Sequence, residues 1–275
     1  MRKTQRSVAD GRRPHPPARS MSQTEPILHA DADRKGWRAY AGEFVMLFLA
    51  VSLGFVVDNY REYLSERDRE RILMRQVVED LRADKIKADT NLGRRAWRHA
   101  KMDSLLDLHE QGVAESRLSE LYYLTQVVRN RYLFIPTRGA FGQLENAGGQ
   151  QLITNQKVLR ALQEYRTAVD DVEEMQKLEE DQIQRYRNGP LLRMFDPAVL
   201  RRITHQDVED LDRRADRPTG PLRLIDTSPV TLNEFFTLAL NMRSFNMTST
   251  RMVTNLSRRA EQVANLVTAE YGFDD

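Results

Sequence analysis

No cysteine occurs among the 275 residues. That excludes a disulfide framework and every thiolate metal site, and it leaves cytoplasm and periplasm equally open. Glycine and proline are scarce, at 13 and 10 residues, and long stretches contain neither. Their scarcity favours helices over a turn-rich β fold. Charge of one sign is also lacking, since 42 basic and 40 acidic side chains leave a net charge of +2. Residues 1–40 hold nine of the basic groups and four of the acidic ones, so the rest of the chain is slightly acidic. A protein that gripped nucleic acid along its body would carry its basic excess there, and nucleic acid is not an expected partner.

A long hydrophobic run is almost lacking as well. The charge-free stretch Phe44–Val57 is fourteen residues, short for a membrane span. Ala39 to Gly42 extend it upstream, with Glu43 the one charge between. Residues 39–57 then reach roughly 28 Å at about 1.5 Å per residue, close to the hydrocarbon thickness of about 30 Å. Trp37 and Tyr40 stand at one end and Tyr60 and Tyr63 at the other, the places where amphipathic rings meet headgroups. Glu43 lies about one turn inside, at interface depth, where a charge costs less than at the midplane. The pattern predicts one transmembrane helix over 39–58, with interfacial flanks over 37–60, and a lipid bilayer as partner.

Cleavage after Ala50-Val51-Ser52 would leave an apolar region too short for a signal peptide, so the segment reads as an uncleaved anchor. Arg34, Lys35 and Arg38 precede it, with further basic residues in 2–19. This bias predicts a cytoplasmic N-terminus and a body outside the bacterial inner membrane, in the periplasm of a Gram-negative host. Ala50 and Gly54 form a small-xxx-small pair that would let two helices approach closely, so a homodimer and a monomer both stay open.

Along the chain, residues 1–36 read as a disordered cytoplasmic tail, with Pro14, Pro16 and Pro17 and no apolar period. Met21 resembles a second start. Residues 61–275 read as a helical extracytoplasmic domain, so the expected fold is all-α: a membrane helix continuing into a long helix, then a bundle. The long helix runs from Trp37 to about Glu110. Its apolar positions Tyr60, Leu64, Met74, Val78, Leu81, Ala88, Leu92, Met102 and Leu106 share one heptad register, interrupted by Arg67, Arg71, Lys85, Arg95 and His99. Either a coiled coil or one helix of an intramolecular bundle fits that pattern.

Further helices are expected over about 116–133, stopped by Pro136, and over 138–146, capped by Gly148-Gly149. Asn155 predicts the N-cap of a helix to about Asn188, closed by Gly189-Pro190, and Asp196-Pro197 opens a short helix. Residues 213–230 read as a loop. Thr231 with Glu234 reads as a capping box that starts a last helix to about Tyr271.

Gly42-Glu43, the apolar run, Asp58-Asn59-Tyr60-Arg61-Glu62 and Val78-Glu79-Asp80-Leu81 form one recognisable segment. Phe141, Leu144, Ala147-Gly148-Gly149, Leu152-Ile153, Asn155, Leu159 and Tyr165 form a second. Together they resemble a widespread family of bacterial single-pass membrane proteins with a helical extracytoplasmic domain and no assigned activity. Its pattern runs Gly-Glu, apolar span, Asn-aromatic, then Leu, Ser-Gly, Leu-Ile, Asn, Leu and Tyr; here Ala-Gly-Gly replaces Ser-Gly. The resemblance covers about residues 42–190. It implies topology and no chemistry.

Chemistry is hard to find in the residues themselves. None of the five histidines has a Glu three positions earlier, as a di-iron bundle needs. His99 and His109 miss the spacing of a helical zinc pair and read as solvated or capping. Asp170, Asp171, Glu173, Glu174, Glu179, Glu180 and Asp181 read as a solvated, salt-bridged face. Met242, Met247 and Met252 read as core. No catalytic, metal or cofactor residue is expected, and no enzyme. The expected role is a membrane-anchored helical scaffold or assembly protein, with an extracytoplasmic ligand-sensing bundle as alternative.

Overall fold

The computed structural model describes residues 37–146, 149–204 and 216–273, so the tail expected over 1–36 lies outside the described residues. The chain divides into two compact units, Met1–Val57 and Asp58–Asp275. The fold is all-α, without a strand among the described residues. Helix α1, Trp37–Glu110, has no Pro, and its only interior glycines are Gly42, Gly54 and Gly93. Gly112 ends it with a left-handed φ of 77°. A 3₁₀ turn, Glu115–Arg117, leads into α2, Leu118–Val127; α3 spans Gly139–Asn146, α4 Gly149–Leu152 and α5 Gln156–Asn188. Then come α6, Pro190–Met194, α7, Pro197–Ile203, and α8, Pro229–Tyr271.

Three long helices frame the second unit. Tyr165 of α5 meets Asp84 of α1, and Glu179 meets Arg95 and Arg98, so α5 runs parallel to α1. Tyr271 of α8 bonds Glu70, Ser257 bonds Asp89 and Arg243 pairs with Asp103, so α8 runs antiparallel to it. Two hydrophobic clusters fill the space between. One gathers Met74, Val77, Leu81, Phe141, Val169 and Val263 with their neighbours. The other gathers Met102, Leu105, Tyr122, Tyr186, Phe195 and Phe235 with theirs.

The buried seam of α1 settles the heptad. It runs Met74, Val77, Leu81, Asp84, Ala88, Asn91, Arg95, Arg98, Met102 and Leu105, alternating steps of three and four residues. At five positions the most buried residue lies one place earlier than expected, at Val77, Asp84, Asn91, Arg98 and Leu105, while Val78 is buried beside Val77 and Leu92 and Leu106 pack against the two clusters. The apolar pattern misled because polar residues occupy seam positions and are buried with partners. From Met74 onward the seam packs within the chain, as in a bundle, while Tyr60 and Leu64 are exposed.

The helix expected over 116–133 stops at Val127, and a strap from Asn130 to Arg138 follows without regular structure. Its backbone bonds to side chains instead of to a next helical turn. Tyr132 O accepts from Asn91 at 2.9 Å and Arg95 at 3.0 Å, and Phe134 N and O bond Gln176 at 2.6 and 3.2 Å. Thr137 N donates to Asp84 at 2.7 Å and Ala140 N to Asp80 at 2.7 Å. Gly149 opens α4 rather than capping α3, and Gly148 lies outside the described residues.

Asn155 accepts from the N–H groups of Lys157 and Val158, and Asp196 accepts from Ala198 N, with Pro197 in the first turn. The last helix starts three residues before the expected capping box. Ser228 is its N-cap, accepting from Thr231 N at 3.4 Å, because Pro229 needs no N–H partner at the first helical position. Glu234 pairs with Arg193 instead.

Replacing Ser228 with Ala should therefore lower stability by about 1 kcal/mol, and Glu234→Gln by under about 0.5 kcal/mol. Denaturant titration of the detergent-solubilised chain measures both. A cost for Ser228→Ala no larger than that for Glu234→Gln would remove Ser228 as the cap.

Candidate membrane span and buried charge layer

The first feature is an apolar surface. An eighteen-residue window of α1 is apolar enough to cross a membrane, and none of it is buried. Every large apolar side chain from Phe44 to Val57 is exposed, between 51% and 74%. Water would charge about 25 cal/mol for each Å² of that surface, so a belt of this kind needs a non-aqueous surrounding or a partner. Of the expected interface residues, Trp37, Tyr40, Tyr60 and Tyr63 are exposed, and so is Glu43. Tyr63 accepts from Arg67 Nε at 3.0 Å, and the guanidinium stacks over its ring at 5.4 Å. Ala50 and Gly54 are exposed, and a Cβ added at Gly54 would meet nothing within 4 Å.

The second feature lies between the two hydrophobic clusters. Arg95 and Arg98, a turn apart on α1, are fully buried, and both reach Glu179 of α5. Arg95 Nη1 donates to Glu179 Oε2 at 3.0 Å, Nε to Asn91 Oδ1 at 2.8 Å and Nη2 to Tyr132 O at 3.0 Å. Arg98 Nη1 donates to Glu179 Oε1, and Nε to Val128 O at 2.8 Å. From α8, Ser249 donates to Glu179 Oε2 at 3.1 Å, and Asn246 exchanges bonds with Arg95. One layer thus ties α1, the strap, α5 and α8 together.

Burial alone would raise the Glu179 carboxyl, but Arg98 and then Arg95 outweigh it and hold it below the usual carboxylate range. Burial lowers the Arg98 guanidinium, with Glu179 opposing. Burial and the neighbouring Asp84 push the Tyr165 hydroxyl far upward, so it stays a donor, at 2.8 Å from Asp84 Oδ2. At the other end of the same cluster, buried Glu70 accepts from Thr154 N at 2.9 Å and from the Tyr271 hydroxyl.

Two surface depressions adjoin α5. A cleft of about 240 Å³ is lined by Phe141, Leu144, Ile153, Leu159, Leu162 and Arg166 among others. A wider groove of about 630 Å³ separates the strap from α5, bridged by Arg131–Glu180 at 3.0 Å and Arg138–Glu173 at 2.8 Å. The acidic stretch is mostly the solvated face expected, with Arg166 and Asp170 paired at 3.1 Å, but Glu179 is the exception. His99 faces Asp103 at 3.6 Å and exposed His109 stacks on Phe236 at 4.2 Å. Met242 is core, Met252 is partly buried against the first cluster, and Met247 is exposed.

The reading of the sequence missed Arg98, Asn91, Asp84 and Glu179. A strict alternation of threes and fours back from Leu105 reaches the first three. No local signal marks Glu179 among its acidic neighbours. Asn246 is buried on α8 between Met242 and Ser249. No family model, curated protein or solved structure matches the chain.

Glu179→Gln leaves two guanidiniums buried against a neutral amide and should cost roughly 3–5 kcal/mol of stability. Because the folded carboxyl titrates below its ordinary value, its contribution is present above the unfolded pKa and lost as pH falls through the folded one. Wild-type stability should then hold down to about pH 4 and fall below it, and the Gln variant should have a shallower acid limb. Equal limbs in urea titrations at pH 3 to 6 would remove Glu179 from the account.

Proposed function

We propose that the chain is a single-pass protein of the bacterial inner membrane. Its N-terminus lies in the cytoplasm, and its helical body works outside that membrane as a scaffold or assembly factor rather than as an enzyme. The observation that carries the membrane reading is the belt from Phe44 to Val57, apolar on all faces and unburied in the chain. The basic residues before the belt support the orientation. The resemblance of residues 42–190 to single-pass bacterial proteins supports both, and assigns no chemistry. A body of long helices with broad exposed faces suits a role exerted through helix–helix contacts. The competing reading, a ligand-sensing bundle signalling through a partner, draws on the apolar cleft beside Phe141 and Leu162.

The absence of native cysteine makes topology directly measurable. A single cysteine at Ser65 should react with an impermeant maleimide in intact spheroplasts, and one at Lys35 only after lysis. Alkaline carbonate should leave the protein in the membrane pellet. Reversed labelling refutes the orientation, and release into the supernatant refutes the span. In a mild detergent extract of its own host, a scaffold should migrate in an assembly larger than its own 32.0 kDa plus micelle. A monomer stabilised by a small metabolite would favour sensing.

Self-association is part of the same proposal, through Ala50 and Gly54 in the bilayer. Gly54 has open space around its Cβ direction, so Gly54→Ile leaves the chain's own packing intact. The substitution should convert a detergent dimer to monomer by light scattering. A wild-type monomer contradicts the dimer, and a dimer indifferent to the substitution moves the contact elsewhere.

A further inference from the structure

The apolar cleft beside α5 is walled by residues of the core. Phe141, Leu144, Ile153 and Leu162 are buried members of the first hydrophobic cluster, and partly buried Leu159 packs against it. All five nevertheless border an unfilled space of about 240 Å³. Protein interiors are close-packed, so apolar walls around a space of this size forgo contacts that a guest would restore.

The walls are held in place from α1. Ala140 N donates to Asp80 Oδ2 at 2.7 Å, which fixes the start of α3 just before Phe141. Thr154 N donates to buried Glu70 Oε1 at 2.9 Å, which fixes the chain just after Ile153. The Phe141 ring rests on that of Tyr165 with 5.4 Å between centroids, and the Tyr165 hydroxyl is tied to Asp84 at 2.8 Å. The short helices α3 and α4 therefore stand on carboxylates of α1, and closing them onto α5 would break those bonds.

The cleft also carries charge of one sign. Among the described residues that line it, Arg166 alone is charged, with Gln150, Gln163 and Thr167 as neutral polar neighbours. Arg166 meets Asp170, which is not part of the lining, at 3.1 Å. A guanidinium has five N–H donors in a planar fork, enough to serve two carboxylates. A cavity of about 150 Å³ holds benzene, so a space of about 240 Å³ suits a chain of roughly eight to ten carbons.

We propose that the cleft between α3, α4 and α5 binds a medium-chain monocarboxylate, its hydrocarbon chain against Phe141, Leu144 and Leu162 and its carboxylate on Arg166. Gln163 and Thr167 are exposed, so the ligand enters past them from solvent. The site holds whether the body serves as scaffold or as sensor, since the ligand completes the packing of the first cluster in either case.

Photolabelling tests this, with the full chain in nanodiscs of zwitterionic phospholipid, a diazirine analogue of decanoic acid as probe, and mass spectrometry to place the label. Label should fall within residues 141–167, and decanoate should displace it. Decan-1-ol should displace it about tenfold less well, because it cannot make the charge-assisted bond to the guanidinium. Arg166→Gln should weaken displacement by decanoate about tenfold and leave that by decanol unchanged. Gln163→Trp, at an exposed position of the rim, should abolish the labelling by covering the opening while circular dichroism stays that of the wild type. Label confined to residues 44–57 would mark partition into the bilayer alone and overturns the proposal. So does equal displacement by acid and alcohol, an Arg166→Gln variant that behaves as wild type, or labelling that survives Gln163→Trp.

Discussion

Two arginines buried on one carboxylate set the terms for the body of this protein. Removing a guanidinium from water costs several kcal/mol, and Arg95 and Arg98 are tolerated only because Glu179, Asn91, Asn246 and two backbone carbonyls meet them. The partners come from α5, α8 and the strap, so the layer forms only when these elements stand in one register. The apolar clusters on either side supply most of the driving force, since each buried Leu or Val contributes about 1.5–3 kcal/mol. Apolar packing alone would tolerate a slip of one turn along α1. The layer does not, because a slip would strand both charges.

The same device recurs in weaker form along α1. Glu70, Asp80 and Asp84 each accept a backbone N–H from the returning chain, at Thr154, Ala140 and Thr137. Helix α1 therefore acts as a ruler whose polar seam residues fix where irregular backbone docks. This explains how the strap and the short α3 and α4 stay ordered with few backbone bonds of their own. Within the first unit the logic is reversed: the described helix presents apolar side chains outward and holds no charge between Phe44 and Val57.

Much of this was legible in the sequence. The absence of proline and the apolar run announced α1, and Asn155 and Asp196-Pro197 marked two helix starts to the residue. The errors share a cause. Val78 and Leu92 do join the first cluster, but an apolar pattern gives no place to Asp84, Asn91 and Arg98, polar residues buried with partners. The helix after Leu118 was drawn too long for the same reason. Arg95 and Arg98 draw the carbonyls of Tyr132 and Val128 out of helical bonding, and a guanidinium on a distant helix leaves no mark on the local sequence. Glu179 was unreadable among six acidic neighbours, since only the tertiary position of two arginines distinguishes it. Ser228 was passed over because Thr231 and Glu234 made a fuller local motif, while Pro229 was read as loop when it opens the helix.

The central claim is that Arg98 and Glu179 are coupled through the core and hold α1 against α5. A double-mutant cycle measures that coupling, with Arg98→Met, Glu179→Gln and the pair compared in urea unfolding of the detergent-solubilised chain. The account predicts that the pair costs less than the two single substitutions together, by about 2 kcal/mol or more, because each substitution alone strands a buried charge. Additive costs, within about 0.5 kcal/mol, would show two groups that do not depend on each other and would contradict it.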